Sequence, residues 1–404
     1  MKTFPFRTRS NSLFGRNVIT VAAALTISVL WMASPCPAQN NYTQHNLVSD
    51  INGLADHTDP NLVNPWGIAS SATSPFWVSD NHTGVSTLYN STGTPLALIV
   101  TVPPPSGGIP PSAPTGVVFN ATSDFQVAGP GTAAHFIFAT EDGTIAGWNS
   151  GTNAILEVDN SAAGAVYKGI ALGNNGISNF LYAANFHSGA IDVFNGSFAP
   201  TTLAGHFTDP NLPAGFAPFN IQNIGGSLLV TYALQDAAKH DDVAGPGNGF
   251  VDQFDLNGVL ERRLISDGAL NSPWGLAIAP GAFGAFSNDL LVGNFGDGHI
   301  HAFDPTTGAF LGTLKDGNGN SITIEGLWGL RVGNGGTGGD PNTVYFTAGI
   351  PGFGPDAALE DHGLFGSITV PESGTTFSLM WLGLAGLVGC GCALRMVRVQ
   401  VSGY

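Results

Sequence analysis

Short apolar runs recur along the central part of this chain, each bounded by Gly, Pro, Asn, Asp or Ser. Runs of that length and punctuation read as strands. They fall into repeating groups. Each group opens on a turn followed by Gly or Asn and an apolar residue, at Gly67-Ile68, Gly116-Val117, Gly169-Ile170, Asn220-Ile221, Gly275-Leu276 and Gly329-Leu330. Successive openings lie 49 to 55 residues apart. A second apolar strand follows each opening, predicted over 76–79, 135–139, 180–184, 227–231, 289–293 and 343–347. A polar turn then leads to a third strand that often ends in an aromatic residue, as at 143–148, 189–194 and 298–303. A fourth is predicted over 96–102, 154–158, 203–207, 259–265 and 309–314.

Four short strands in each of six repeats predict an all-β, six-bladed propeller with four-stranded blades over residues 42–370. The last repeat ends with its third strand at 366–370 and has no fourth. The segment Asn46-Leu47-Val48-Ser49-Asp50 resembles Arg263-Leu264-Ile265-Ser266-Asp267, the fourth strand before Trp274. The N-terminal strand is therefore expected to complete the sixth blade, which closes the ring and covers an open sheet edge.

Composition narrows the function. The chain has 404 residues, with 12 Lys+Arg against 28 Asp+Glu. Six of the basic residues, Lys2, Arg7, Arg9, Arg16, Arg395 and Arg398, lie in the terminal segments, so the propeller is strongly acidic. Nucleic-acid binding needs a basic footprint and is excluded as a reading. The cysteines are Cys36, Cys390 and Cys392, so the propeller itself has no disulfide and stands on packing and closure. Residues 1–38 have the order of a secretory signal peptide: Arg7, Arg9 and Arg16, an apolar stretch from 18 to 32, then Cys36-Pro37-Ala38.

At the other end, Val370-Pro371-Glu372-Ser373-Gly374 precedes an apolar stretch at 377–394, followed by Arg395 and Arg398. Eighteen apolar or small residues are just enough to span a membrane as a helix. This three-part tail, 371–398 with its motif, resembles bacterial exosortase sorting signals of the PEP-CTERM or VPDSG-CTERM kind, with Glu372 where the second variant has Asp. The resemblance implies export in a Gram-negative bacterium, with signal peptidase and an exosortase-type enzyme as partners. It also implies transient anchoring in the inner membrane, then the cell surface or extracellular matrix. The segments Asn64-Pro65-Trp66-Gly67-Ile68-Ala69 and Gly293-Asn294-Phe295-Gly296-Asp297-Gly298 are similar to those of an uncharacterised family of exported bacterial propellers with NHL-like repeats.

Chemistry is sparser. The second strands end in polar residues that a ring would carry to its channel mouth: Asp80, Glu141, Asn185, Asp236 and Asn294. Inward oxygens of this kind can hold calcium, while Asp and Asn at strand ends also cap their own turns. Trp66, Trp274 and Trp328 share one repeat position, where they either pack between blades or stack on a sugar ring. His82, His187, His240 and His362 are expected on the loop face but lack metal-ligand spacing. Long insertions at 233–249 and 349–363 are expected on that same face. The leading expectation is an exported binding or scaffold protein for polysaccharide or an envelope protein. The alternatives are a calcium-dependent lactonase or esterase and a purely structural envelope component.

Overall fold

The computed structural model describes residue 1 and residues 40–266, 268–353 and 357–371. Apart from Met1, the expected signal peptide lies outside the described residues, as do Glu372, Ser373 and Gly374 of the sorting motif and the expected helix at 377–394. Among the described residues, no helix is long and apolar enough to cross a membrane.

Six antiparallel sheets form the ring. Blade one holds β3 (Pro65–Ala69), β4 (Phe76–Asp80), β5 (Val85–Tyr89) and β6 (Val100–Thr101). Blade two holds β7 (Pro114–Phe119), β8 (Phe136–Thr140), β9 (Thr144–Trp148) and β10 (Ile155–Asp159). Blade three holds β11 (Tyr167–Asn174), β12 (Asn179–Asn185), β13 (Ala190–Asn195) and β14 (Pro200–Thr201). Blade four runs through β15 (Phe216–Ile224), β16 (Ser227–Leu234), β17 (Phe250–Phe254) and β18 (Leu260–Ser266). Blade five runs through β19 (Pro273–Ile278), β20 (Leu290–Asn294), β21 (Ile300–Phe303) and β22 (Phe310–Thr313).

Blade six has β23 (Leu327–Val332), β24 (Val344–Ile350) and β25 (His362–Thr369) from the end of the chain and β1 (Thr43–Ser49) from its start. β1 runs antiparallel to β25, with Thr43 opposite Thr369 and Ser49 opposite Leu364. The Asp50 carboxylate locks the seam: one oxygen lies 2.6 Å from His362 Nδ1 and the other accepts the Gly363 N–H at 2.8 Å. A two-residue strand, β2 (His57–Thr58), adds to β1 in parallel. Blade three departs from expectation. Its fourth strand is Pro200–Thr201 rather than 203–207, because His206 and Phe207 take left-handed backbone (φ 53° and 50°) that no strand accepts.

Apolar layers fill every gap between neighbouring blades, and one further cluster fills the channel. The inner strands explain the channel cluster. Each has a register shift at the repeat opening, between Pro65 and Ile68, Pro114 and Val117, Tyr167 and Gly169, Pro218 and Asn220, Pro273 and Gly275, and Leu327 and Leu330. Bulges re-aim side chains, and here they sit where the strands converge most closely. A Cβ on Gly275 would meet the Trp328 carbonyl oxygen at 2.5 Å, and one on Gly67 the Thr115 carbonyl oxygen at 2.6 Å. The repeated glycine is therefore a requirement of inter-strand approach.

Candidate functional site at the channel mouth

The residue just before each opening glycine or asparagine is Trp66, Thr115, Lys168, Phe219, Trp274 or Trp328. Trp66 and Trp328 stack, and Trp274 meets both edge-on at 6.0 and 5.9 Å between ring centres. Phe219 and Phe295 pack on Trp328 at 5.7 and 4.0 Å. All five rings are buried, so the aromatics form a plug across the channel. Ring pairs in these offset and edge geometries contribute beyond their buried area.

Lys168 is the one charged residue in this register, which is otherwise aromatic apart from Thr115. Its side chain is 2% exposed, and its ammonium lies 5.1 Å from the centre of the Trp66 ring. A buried charge needs partners. Lys168 Nζ pairs with Glu141 Oε1, from the end of the second strand of blade two, and lies 3.3 Å from Asp241 Oδ1, in the blade-four insertion. Burial works against the ammonium, but Glu141, Asp241 and Glu360 more than offset it and hold its pKa above the ordinary lysine range.

Hydrogen bonds extend the cluster. Asn81 Nδ2 donates to Glu141 Oε2 at 2.8 Å. Asn64 Nδ2 donates to Glu360 Oε1 at 2.9 Å, while Asn64 Oδ1 accepts Trp328 Nε1–H at 3.1 Å. His82 Nε2 lies 3.4 Å from the same Asn64 amide. Asn64 and Glu360 both have left-handed backbone (φ 49° and 73°). Such strain persists where surroundings over-determine it and concentrates at binding sites. Burial, followed by the nearby Glu141 charge, pushes the Glu360 carboxyl up to about 7. Its hydrogen bond to His240 is the first cause holding Asp241 down at about 2. Five blades thus contribute to one polar mouth: one ammonium, several carboxylates, two amides and two imidazoles.

The five strand-end residues singled out in the sequence separate here. Glu141 reaches the mouth. Asp80 is fully buried and accepts the Thr87 N–H at 3.0 Å, and its burial holds its carboxyl well above the usual range. Asn185 accepts from the Val166 and Ser188 N–H groups, both at 3.3 Å, and donates to Asp192. Asp236 accepts the His240 N–H at 2.9 Å and caps the blade-four insertion. Asn294 donates to the Ala269 carbonyl at 2.8 Å. Asp80, Asn185 and Asn294 occupy one repeat position, each opening a turn closed by Gly84, Gly189 or Gly298 with positive φ. Among the described residues, no hydrogen bond or ion pair links any two of the five. Trp66, Trp274 and Trp328 lie inside the plug. Val370 and Pro371 directly follow β25, the third strand of blade six.

Sequence reasoning missed Lys168, Asn64, Asp241 and Glu360, while it placed Asn81 beside Asp80 at the rim. Lys168 had one usable signal, as the only basic residue in an otherwise aromatic or hydroxyl repeat position. Glu141, His240 and Asp241 offer three ligand atoms within 4.8 Å of one another. The Lys168 ammonium already lies against both carboxylates, so a cation here would have to displace it.

The fold and this mouth define a six-bladed propeller with a plugged channel and a charged, pre-organised rim. No protein-family model matches the sequence. Over 327 residues the chain is 33% identical to uncharacterized protein R648 of Acanthamoeba polyphaga mimivirus, covering 78% of each chain. It is 34% identical over 297 residues to uncharacterized protein L690 of the same virus, covering 70% of this chain and 77% of that one. The chain belongs to the family of these proteins. A solved protein of unknown function from Bacteroides thetaiotaomicron VPI-5482 superposes with a TM-score of 0.51 at 10% identity, over 81% of this chain and 76% of that one. At that identity the likeness is one of fold.

Proposed function

We propose that this protein is an exported surface module that binds a hydroxyl-rich ligand, a polysaccharide by preference, at the channel mouth. The observation that carries the reading is the Lys168 ammonium held between Glu141 and Asp241 over the aromatic plug, with amides and imidazoles from neighbouring blades beside it. Carboxylates and amides fixed by their own hydrogen bonds are ready to pair with sugar hydroxyls at little ordering cost. A lysine held this firmly as an ammonium is a donor and an electrostatic anchor, not a base or nucleophile. Export would use the segment at 1–38, and surface sorting would use the motif at 370–374 with the apolar stretch at 377–394, as their resemblance to sorting signals implies.

A glycan array probed with the intact protein tests the reading, followed by calorimetry on any glycan retained. Saturable binding that weakens at least tenfold in Glu141→Gln and in His82→Ala is expected. Failure of every glycan to bind, or equal binding by both variants, would overturn it. Calcium-stimulated hydrolysis of simple lactones, lost on Glu141→Gln, would favour the lactonase or esterase alternative instead.

A further inference from the structure

Among the described residues, blade five gives no side chain to the polar mouth, yet it carries a separate group of residues of metal-ligating type. Asp297 lies in the turn between β20 and β21, and His299 and His301 follow at alternate positions. Strand alternation puts alternate residues on one face. Ile300 and Ala302, between and after them, enter the apolar layer shared with blade six. One ligand atom from each of Asp297, His299 and His301 lies within 4.8 Å of the other two. Asp297 Oδ1 and His299 Nδ1 are 3.5 Å apart, and the two imidazole centres are 5.9 Å apart.

The remaining atoms of all three side chains are held from behind. Thr313 Oγ1 lies 2.9 Å from His301 Nδ1, and Thr323 Oγ1 lies 3.3 Å from His299 Nε2. Each imidazole therefore has one nitrogen tied to a hydroxyl and the other left to ligate. Asp297 Oδ2 accepts from Asn271 and Asn294 at 3.3 and 3.4 Å. Outer hydrogen bonds of this kind set ring orientation and the ligating atom in metal sites. The Asp297 and His299 side chains are each 32% exposed, which gives an ion a path in.

We propose that Asp297, His299 and His301 form a binding site for a divalent transition-metal ion, zinc by preference, with a fourth position open to water or ligand. Two imidazoles and one carboxylate suit zinc, whereas calcium and magnesium favour all-oxygen sets. Ligand atoms about 2.0–2.2 Å from zinc sit roughly 3.3 Å from one another. The ligand atoms, now within 4.8 Å of one another, would draw in by up to about 1.5 Å on binding an ion. The site lies in a turn equivalent to those that carry Asn81 and Glu141, so it is on the mouth face of the ring.

Calorimetric titration of the EDTA-stripped intact protein with zinc tests the proposal, with cobalt absorption as a second readout. One ion per chain at this site is expected, with visible cobalt bands of a tetrahedral N/O site. Zinc affinity should fall at least tenfold in His299→Ala and in Asp297→Asn, and stay unchanged in His240→Ala. His301 is buried and its loss can disturb folding, so the two partly exposed positions carry the test, with metal-free thermal unfolding confirming that both variants fold. The proposal is overturned by absent saturable zinc binding, by unaltered binding in both variants, by loss in His240→Ala alone, or by calcium binding there as tightly as zinc.

Discussion

The indole Nε1 of Trp274 in blade five donates to the backbone carbonyl of Lys168 in blade three, 3.0 Å away. The bulge between Tyr167 and Gly169 takes Lys168 out of the regular β11–β12 pairing. One inner strand is thus tied to another across the channel, with the plug between them. Trp274→Phe keeps most of the ring and removes the donor, which leaves a buried carbonyl unpaired at a cost of about 1–3 kcal/mol. Trp328→Ala removes the ring against which Trp66, Trp274, Phe219 and Phe295 pack, and is expected to cost about 3–5 kcal/mol. Urea unfolding of both variants provides the check, and an unchanged midpoint for Trp328→Ala would refute the plug as a stabilising element.

Lys168 and Glu141 should behave as a unit. Lys168→Met leaves Glu141 at the mouth without its ammonium, and breaking one side of a buried pair costs about 3–5 kcal/mol. Glu141→Gln in the same chain relieves the stranded carboxylate, so the double variant should be more stable than the sum of the single losses implies. A double-mutant cycle by chemical denaturation measures this coupling. Strict additivity would show that the two groups do not interact.

Glu360 predicts a pH dependence with a definite sign. Its folded pKa of about 7 lies above the ordinary 4.5, so the folded chain holds the proton more tightly than the unfolded one. The associated stability is fully present below 4.5 and is lost as pH rises through 7, by at most about 3 kcal/mol. Glu360→Gln cannot lose a proton and should flatten this part of the profile between pH 4 and pH 8. Unfolding free energies of the two proteins across that range decide it, and parallel profiles would count against the assignment.

Ring closure is the remaining point of leverage. Leu47 and Val48 of β1 pack with Leu62, Phe76, Tyr89, Tyr345 and Phe365 between blades six and one. Leu47→Ala is expected to cost about 2–5 kcal/mol. Removal of residues 43–49 should expose the β25 edge and abolish cooperative unfolding, visible by calorimetry as loss of the single transition. A truncated chain that melts as sharply as the parent would contradict a closed ring.

How much of this was legible follows from which signals are local. Blade number, strand order and the completion of blade six by the N-terminal strand were readable because alternation, turn residues and repeat spacing act over a few tens of residues. Spacing from the turn glycine sets Asp80, Asn185 and Asn294 apart from Glu141, but it does not tell which position serves the turn and which a ligand, since both roles place a polar residue at a strand end. In the folded chain, hydrogen bonds to Thr87, Ser188 and Ala269 occupy the first three, and of the four only Glu141 faces Lys168.

The sequence by itself determined the architecture: six sheets, a glycine at five of the six points where inner strands crowd, and a shared edge where the two ends of the chain meet. Tertiary structure alone decided the mouth. Glu141, Lys168, Asp241 and Glu360 come from four blades: a bulge in an inner strand presents Lys168, and the loops after the second strands of blades two, four and six bring the carboxylates to it. Beyond the odd residue at position 168 of the repeat, no pattern along the chain records that meeting, because a buried ion pair depends on distance and dielectric in space and not on spacing in sequence.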